Sequence, residues 1–176
     1  FDRNFPGVFL VDRLRDGTTF IACRNQITVV DAKGAAVMTY PYMANSILAA
    51  KRFRDGTSAF VSYSGNYVKL DRNGKEIKNH QIPQWGLFSP NGAEILPGDR
   101  IVIADAKQNK VVEMDLDGKN AWECPVPFPL IPYQTASGNI LLAGNNNSAI
   151  YEIDRKGKLI KDWANTPFKP YRVLRR

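Results

Sequence analysis

Histidine, cysteine and methionine are scarce in this chain: 176 residues hold one, two and three of them. With a single histidine, imidazole proton relay has one place to sit, His80, in the polar stretch NGKEIKNHQIP. No nucleophile and orienting acid converge on it in the sequence, so it reads as a surface residue. Two cysteines are too few for a disulfide framework, and Cys23 and Cys124 are expected as buried free thiols. The compartment is thereby left open, with periplasm or exterior favoured over cytosol. No stretch approaches the roughly 18 consecutive apolar residues of a membrane helix, so no membrane span is expected. An initiator methionine is missing too; Phe1 suggests a processed chain or a piece of a longer one. Acid is outnumbered, 17 Asp+Glu against 24 Lys+Arg, for a net charge of +7. The basic residues are scattered through turn positions (Lys33, Arg72, Lys75, Lys119, Arg155, Lys156, Lys158) and cluster only at Arg172, Arg175 and Arg176. A nucleic-acid surface needs a basic stripe interleaved with aromatics, so nucleic acid is not an expected partner.

What the chain does have is a repeat. Asp-x-x-Gly occurs at Asp31–Gly34, Asp71–Gly74, Asp115–Gly118 and Asp154–Gly157, spaced 40, 44 and 39 residues. An earlier glycine recurs as Gly17, Gly56, Gly98 and Gly138, a proline as Pro41, Pro83, Pro127 and Pro167, and an asparagine as Asn25, Asn66, Asn109 and Asn147. Four markers keeping one period define a structural repeat. Each has a mechanical reason. Glycine supplies the positive φ of a tight turn, Asp and Asn bond their own backbone there, and proline suits a strand end or a connection. Between them lie short segments rich in Val, Ile, Phe and Tyr, such as Thr19 to Ala22, Ala59 to Tyr63, Ile101 to Ala104 and Ile140 to Ala143. They are of strand length and apolar on both faces, as in sheets packed between neighbours.

Four short strands per period of about 40 residues describe a β-propeller blade. The expected fold is therefore all-β: a single β-propeller domain over 1–176, made of four four-stranded antiparallel blades at 8–40, 41–82, 83–126 and 127–166. Residues 167–176 open a further blade, and SPNGAEILPGD, residues 89–99, reads as an insertion that lengthens the third unit. Both termini then supply a first strand, Val8 to Leu14 and YRVLRR, and the two are redundant rather than complementary. The expectation is an open arc, part of a larger propeller or a half-ring pairing with a second copy as a homodimer. A compact four-blade ring with a trailing tail is the alternative.

The segments LRDGTTFIACRNQITVVDAKG and ASGNILLAGNNNSAIYEIDRKGKLIKDW carry a turn glycine, a strand, a loop, a strand ending in Asp-x-x-Gly and a further strand. In this layout the chain resembles the quinoprotein-like (PQQ-type) propeller repeats of bacterial proteins, over residues 8–176. Trp122 and Trp163 match the tryptophan often found in the outer strand of such units, whereas units one and two have Met38 and Lys78 or Asn79 there. The resemblance implies a fold more than an activity. Alcohol dehydrogenases of that family carry a vicinal cysteine pair, which this chain lacks, and no cofactor or metal is expected. The scarcity of histidine counts equally against propeller lyases and sulfotransferases.

Other candidate groups have plainer explanations. Asp105 follows an apolar strand and is read as a strand-end carboxylate rather than a catalytic base. The acidic turns at Asp71 and Asp115 lack the further ligands of a Ca²⁺ loop. Asn146-Asn147-Ser148 fits a glycosylation sequon, in a loop that already favours asparagine. The set that remains lies at the unit junctions: Tyr42, Trp85, Phe128, and Phe168 or Tyr171 each follow the junction proline closely. In a propeller these connections share one mouth of the channel, where aromatics make an amphipathic surface for a peptide, glycan or small ligand. Packing of blade against blade is the competing explanation. The sequence is accordingly read as a non-enzymatic binding or scaffold domain for a protein, peptide or glycan. A fragment of a quinoprotein-type enzyme with its catalytic residues elsewhere is the alternative.

Overall fold

The computed structural model describes residues 5–44, 46–144, 148–163, 167 and 169–173. The chain divides into two compact units, Phe1–Gln81 and Ile82–Arg176. Each contains two antiparallel sheets of four strands joined in simple sequence order. In the first unit the sheets are β1 Val8–Arg13, β2 Thr19–Cys23, β3 Gln26–Val30, β4 Ala36–Pro41, and β5 Ile47–Arg52, β6 Ser58–Ser62, β7 Asn66–Leu70, β8 Glu76–Gln81. In the second they are β9 Pro90–Leu96, β10 Arg100–Asp105, β11 Lys110–Asp115, β12 Asn120–Pro125, and β13 Tyr133–Gln134, β14 Ile140–Gly144, β15 Ala149–Ile153, β16 Leu159–Trp163. These are four β-propeller blades. Among the described residues the helical element is one 3₁₀ turn, Trp85–Leu87.

The Asp-x-x-Gly turns work as the residue types require. Asp31 Oδ1 accepts the N–H groups of Lys33 and Ala35, and Asp71 Oδ1 those of Asn73 and Lys75. Asp154 Oδ1 does the same for Lys156 and Lys158, and Asp115 Oδ1 accepts from Lys119. The carboxylates thereby replace backbone partners that the sharp turn cannot supply. The turn glycines have φ between 78° and 85°, a region that costs a side chain with a Cβ about 1–2 kcal/mol.

The middle strands are buried on both faces and the outer strands are exposed, so each core lies between sheets. In the first unit Phe20, Ala22, Ile27, Val29 and Met38 of one sheet pack on Ile47, Phe60, Val68 and Leu70 of the other. On the far side of β2, Ile21 and Cys23 join Val30 and Phe5. In the second unit Leu96, Val102, Val111, Cys124 and Val126 meet Ile140, Leu142, Ala149, Tyr151 and Ile153. Both cysteines are buried free thiols, and burial raises the pKa of each.

Some local readings change. The stretch 89–99 is not an insertion: most of it is β9, paired with β10 from Pro90↔Asp105 to Leu96↔Arg100. The extra length of the third repeat lies partly before it, around the 3₁₀ turn, and partly in the longer β10–β11 hairpin. Periodicity missed this because Pro90, Asn91 and Gly92 look like turn residues. Gly92 is needed for another reason, since a Cβ there would come within 2.9 Å of Ile131 Cα. Asn66 begins β7 rather than filling a loop, and Pro41 ends β4 opposite Gln26, at the sheet edge where a missing donor costs little. The two tryptophans do not share a register: Trp122 pairs with Glu113, whereas Trp163 pairs with Ile150, two residues further along its strand. The positions equivalent to Trp122 are Met38, Lys78 and Lys161.

Candidate functional site

An up-and-down sheet of four strands sends its second hairpin turn and its outgoing connection to the same end. In the first unit this end carries Tyr42 and Tyr63. Tyr42 N–H donates to Asn25 O at 2.7 Å, and its ring packs edge-on against Phe60 at 4.8 Å. Tyr42 is thus partly spent on the core. The Arg24 guanidinium donates to Tyr63 Oη at 2.8 Å and lies 5.3 Å from the ring centroid, leaving an exposed cationic and aromatic pair.

The corresponding end of the second unit carries the other predicted aromatics. Trp85 is buried, with Phe88 at 6.3 Å, so its 3₁₀ turn is anchored inward. Gln108 Nε2 holds that turn by donating to Leu87 O at 3.0 Å. Asp105 is fully buried, and its Oδ1 accepts from the N–H groups of Ser89, Lys107 and Gln108. This is the task of a strand-end carboxylate; its Oδ2 has no hydrogen-bond partner among the described residues.

Phe128 differs from the buried aromatics. It sits in PVPFPLIP with φ +44°, rare for a bulky residue and strained between two prolines. Asn109 holds it there: its Oδ1 accepts from Phe128 N–H at 2.9 Å, and its carbonyl accepts from Val126 N–H at 2.9 Å. Phe128 is 42% exposed. A parallel bridge between Ile131 and Arg172 brings the C-terminal segment alongside this connection, and that segment carries Tyr171, 69% exposed. Phe168 lies outside the described residues, as do Asn146, Asn147, Arg175 and Arg176. His80 is half-buried in the outer strand β8.

The other end of the second unit contains a feature that spacing did not reveal. A cavity of about 310 Å³ is lined by Pro97, Arg100, Glu113, Gln134, Thr135, Ala136, Gly138 and Arg155. Glu113 is buried and engaged through both oxygens: Arg100 Nη1 donates to Oε1 and Trp122 Nε1 to Oε2, the latter at 2.9 Å. Arg155 folds back over the hairpin turn and donates through Nε to Ser137 O at 2.8 Å. Gly138 permits this approach, since a Cβ there would collide with the guanidinium. A hint was legible in the bulk of charge at strand positions, Glu113 among valines, but its partners come from other strands. Among the described residues no group of three His, Cys, Asp or Glu side chains could hold a metal ion. Nor, among the described residues, is any helix long and apolar enough to cross a membrane.

No family model and no curated protein matches this chain. Solved structures do. A Bacteroides caccae protein of unknown function superposes with a TM-score of 0.69 at 11% identity, covering 87% of this chain and 59% of that one. Virginiamycin B lyase from Staphylococcus aureus gives 0.67 at 19%, covering 89% and 55%. The WD40 domain of Neurospora crassa Pan2 gives 0.65 at 15%, covering 89% and 49%. At these identities the likeness establishes the β-propeller fold. The chain spans about half to three-fifths of the length of these neighbours. One fold thus serves an enzyme in one neighbour and a WD40 domain in another, and the fold alone does not choose between them.

Proposed function

We propose that this chain is a non-enzymatic binding module that takes a peptide or glycan on the connection end of its sheets. The observation that carries the reading is Phe128, an exposed aromatic held at positive φ by Asn109, with exposed Tyr171 on the adjacent segment. Backbone strain persists where surrounding structure enforces it, and it concentrates at ligand-binding sites. Exposed aromatics supply contact area at low entropic cost. Tyr42 and Trp85, by contrast, contribute mainly to packing, so the site is centred on Phe128 and Tyr171 rather than on a full ring of aromatics. The WD40 neighbours give the reading precedent at the level of fold only.

The test is to pan the chain against a random peptide library and a glycan array, in parallel with a Phe128→Gly/Tyr171→Ala variant. Glycine accepts the positive φ, so the variant is expected to fold as well as the parent. Loss of the enriched ligands in the variant supports the reading. Ligands that bind both proteins equally, or no ligand in either format, defeat it.

A further inference from the structure

The cavity at the opposite end of the second unit is independent of that surface, and its chemistry points to a definite ligand class. We propose that it binds a carboxylate, held between Arg100 and Arg155. Two arginines and one glutamate line the space, which leaves one net positive charge in a polar concavity. Glu113 offsets one of the two cations, and its oxygens accept from Arg100 and Trp122. Its effect is to fix the guanidinium of Arg100 while spending only Nη1 of that group's donors. Arg155 is fixed in the same manner by the Ser137 carbonyl, through Nε and Nη2. Each guanidinium thus keeps further N–H donors than these bonds consume, already oriented, and a planar carboxylate suits such a fork.

The rest of the lining agrees with a small, polar acid. Thr135 Oγ1 is satisfied by Ser137 Oγ at 2.8 Å and Asn139 O at 3.1 Å, so that wall is rigid rather than adaptable. A cavity of about 310 Å³ lies at the small end of ligand pockets. A single residual charge favours a monoanion. A free organic acid and the C-terminus of a peptide present the same group, and the experiment separates them.

Trp122 supplies the readout, because its indole N–H bonds the same carboxylate that holds Arg100. The full ¹⁵N-labelled chain is titrated with N-acetylglycine, with N-acetylglycinamide, and with an N-acetylated, uncharged-side-chain tripeptide bearing a free or an amidated C-terminus, at constant chloride. The Trp122 indole resonance, assigned with Trp122→Phe, is expected to shift with both free acids and not with either amide. Tighter binding of the free tripeptide identifies a chain terminus as the source; equal or weaker binding identifies a free acid. Arg155→Gln should weaken the acids about tenfold, as should Arg100→Lys, which keeps a cation beside Glu113 but loses the fork. Acids and amides that titrate alike, no movement of the resonance, or an unchanged titration in Arg155→Gln would each overturn the proposal.

Discussion

The two units use the same contact in opposite ways. In each, the Asp-x-x-Gly turn of the second sheet docks on the outer strand of the first. In the first unit a Cβ on Gly74 would meet Met38 Cγ at 2.9 Å; in the second, a Cβ on Gly157 would meet Trp122 at 2.7 Å. Behind Met38 stands Val29, and behind Trp122 stands Glu113, each immediately before the register shift of its strand. The backbone solution is therefore shared, and one register position decides what it encloses. Val29 and Met38 close the first seam by packing. Glu113 requires polar partners, and in recruiting Arg100 and Trp122 it gives the second unit a charged cavity.

The largest effect is expected from removing that carboxylate. Glu113→Ala leaves the Trp122 N–H without its acceptor and Arg100 without its ion partner, which should cost about 2 kcal/mol in urea unfolding. The loss stays modest because the Arg100 side chain is 46% exposed and water screens its charge once the partner is gone. Glu113→Val with Arg100→Thr and Trp122→Met carries the first unit's residues into the second. Its stability should match or exceed the parent's, since a well-packed apolar set commonly replaces a buried ion pair without loss. A triple variant less stable than Glu113→Ala would mean that the seams differ in backbone as well.

Next come the glycines. Gly17→Ala, with nothing within 4 Å of the new Cβ, measures the positive-φ penalty alone, about 1 kcal/mol. Gly74→Ala adds a clash with Met38, an unbranched side chain that can move aside. Gly157→Ala adds a clash with an indole pinned by Glu113 and should be the most costly of the three, up to about 2 kcal/mol in all. Thermal melts of the set order them. Equal losses at 74 and 157 would show that Trp122 yields as easily as Met38.

A smaller effect belongs to the arginines that cover the earlier turns. Arg72 donates to Asp55 O at 2.6 Å as Arg155 does to Ser137 O, one in each unit, and Gly56 and Gly138 make room for them. Both are exposed, so Arg72→Ala and Arg155→Ala should each lose about 0.5 kcal/mol or less. Denaturant midpoints would show it, and a loss several times larger at Arg155 alone would mean that the cavity wall depends on it.

Much of this fold could be read from periodic markers, because turn glycines and aspartates act locally. Asp31, Asp71, Asp115 and Asp154 cap the residues that follow them, and the apolar segments Thr19 to Ala22, Ile101 to Ala104 and Ile140 to Ala143 fall within β2, β10 and β14. Beyond about four residues the legibility fades. β9 looks like a turn because its constraint, Gly92 against Ile131, is set from the distant connection before β13. The aromatics of the junctions share a sequence position but not an environment: Trp85 is buried and Phe128 exposed, according to whether a neighbouring turn folds the ring inward. The Arg100–Glu113–Trp122 group draws on three strands, and no spacing along the chain encodes it.

The finest contrast between the units lies in acid. Tyr40 donates to Glu76 in the first unit, and that bond, with a further one from Asn79, holds the Glu76 carboxyl below its ordinary value of 4.5. The same pairing, after burial, drives the Tyr40 hydroxyl upward. A depressed carboxylate contributes stability that is fully present above the unfolded value and disappears as pH falls through the folded one. Tyr40→Phe should therefore be less stable than the parent at neutral pH, and the two curves should converge below pH 4.5. Asp16, Asp55 and Asp154 are depressed by hydrogen bonds within their own turns, in both units, so their acid losses are common to both proteins and cancel in the difference. The difference curve thus isolates one bond between the outer strands of the first unit. A gap that persists unchanged to lower pH would place the role of Tyr40 in its tilted contact with Phe60, at 5.8 Å, instead of its hydroxyl.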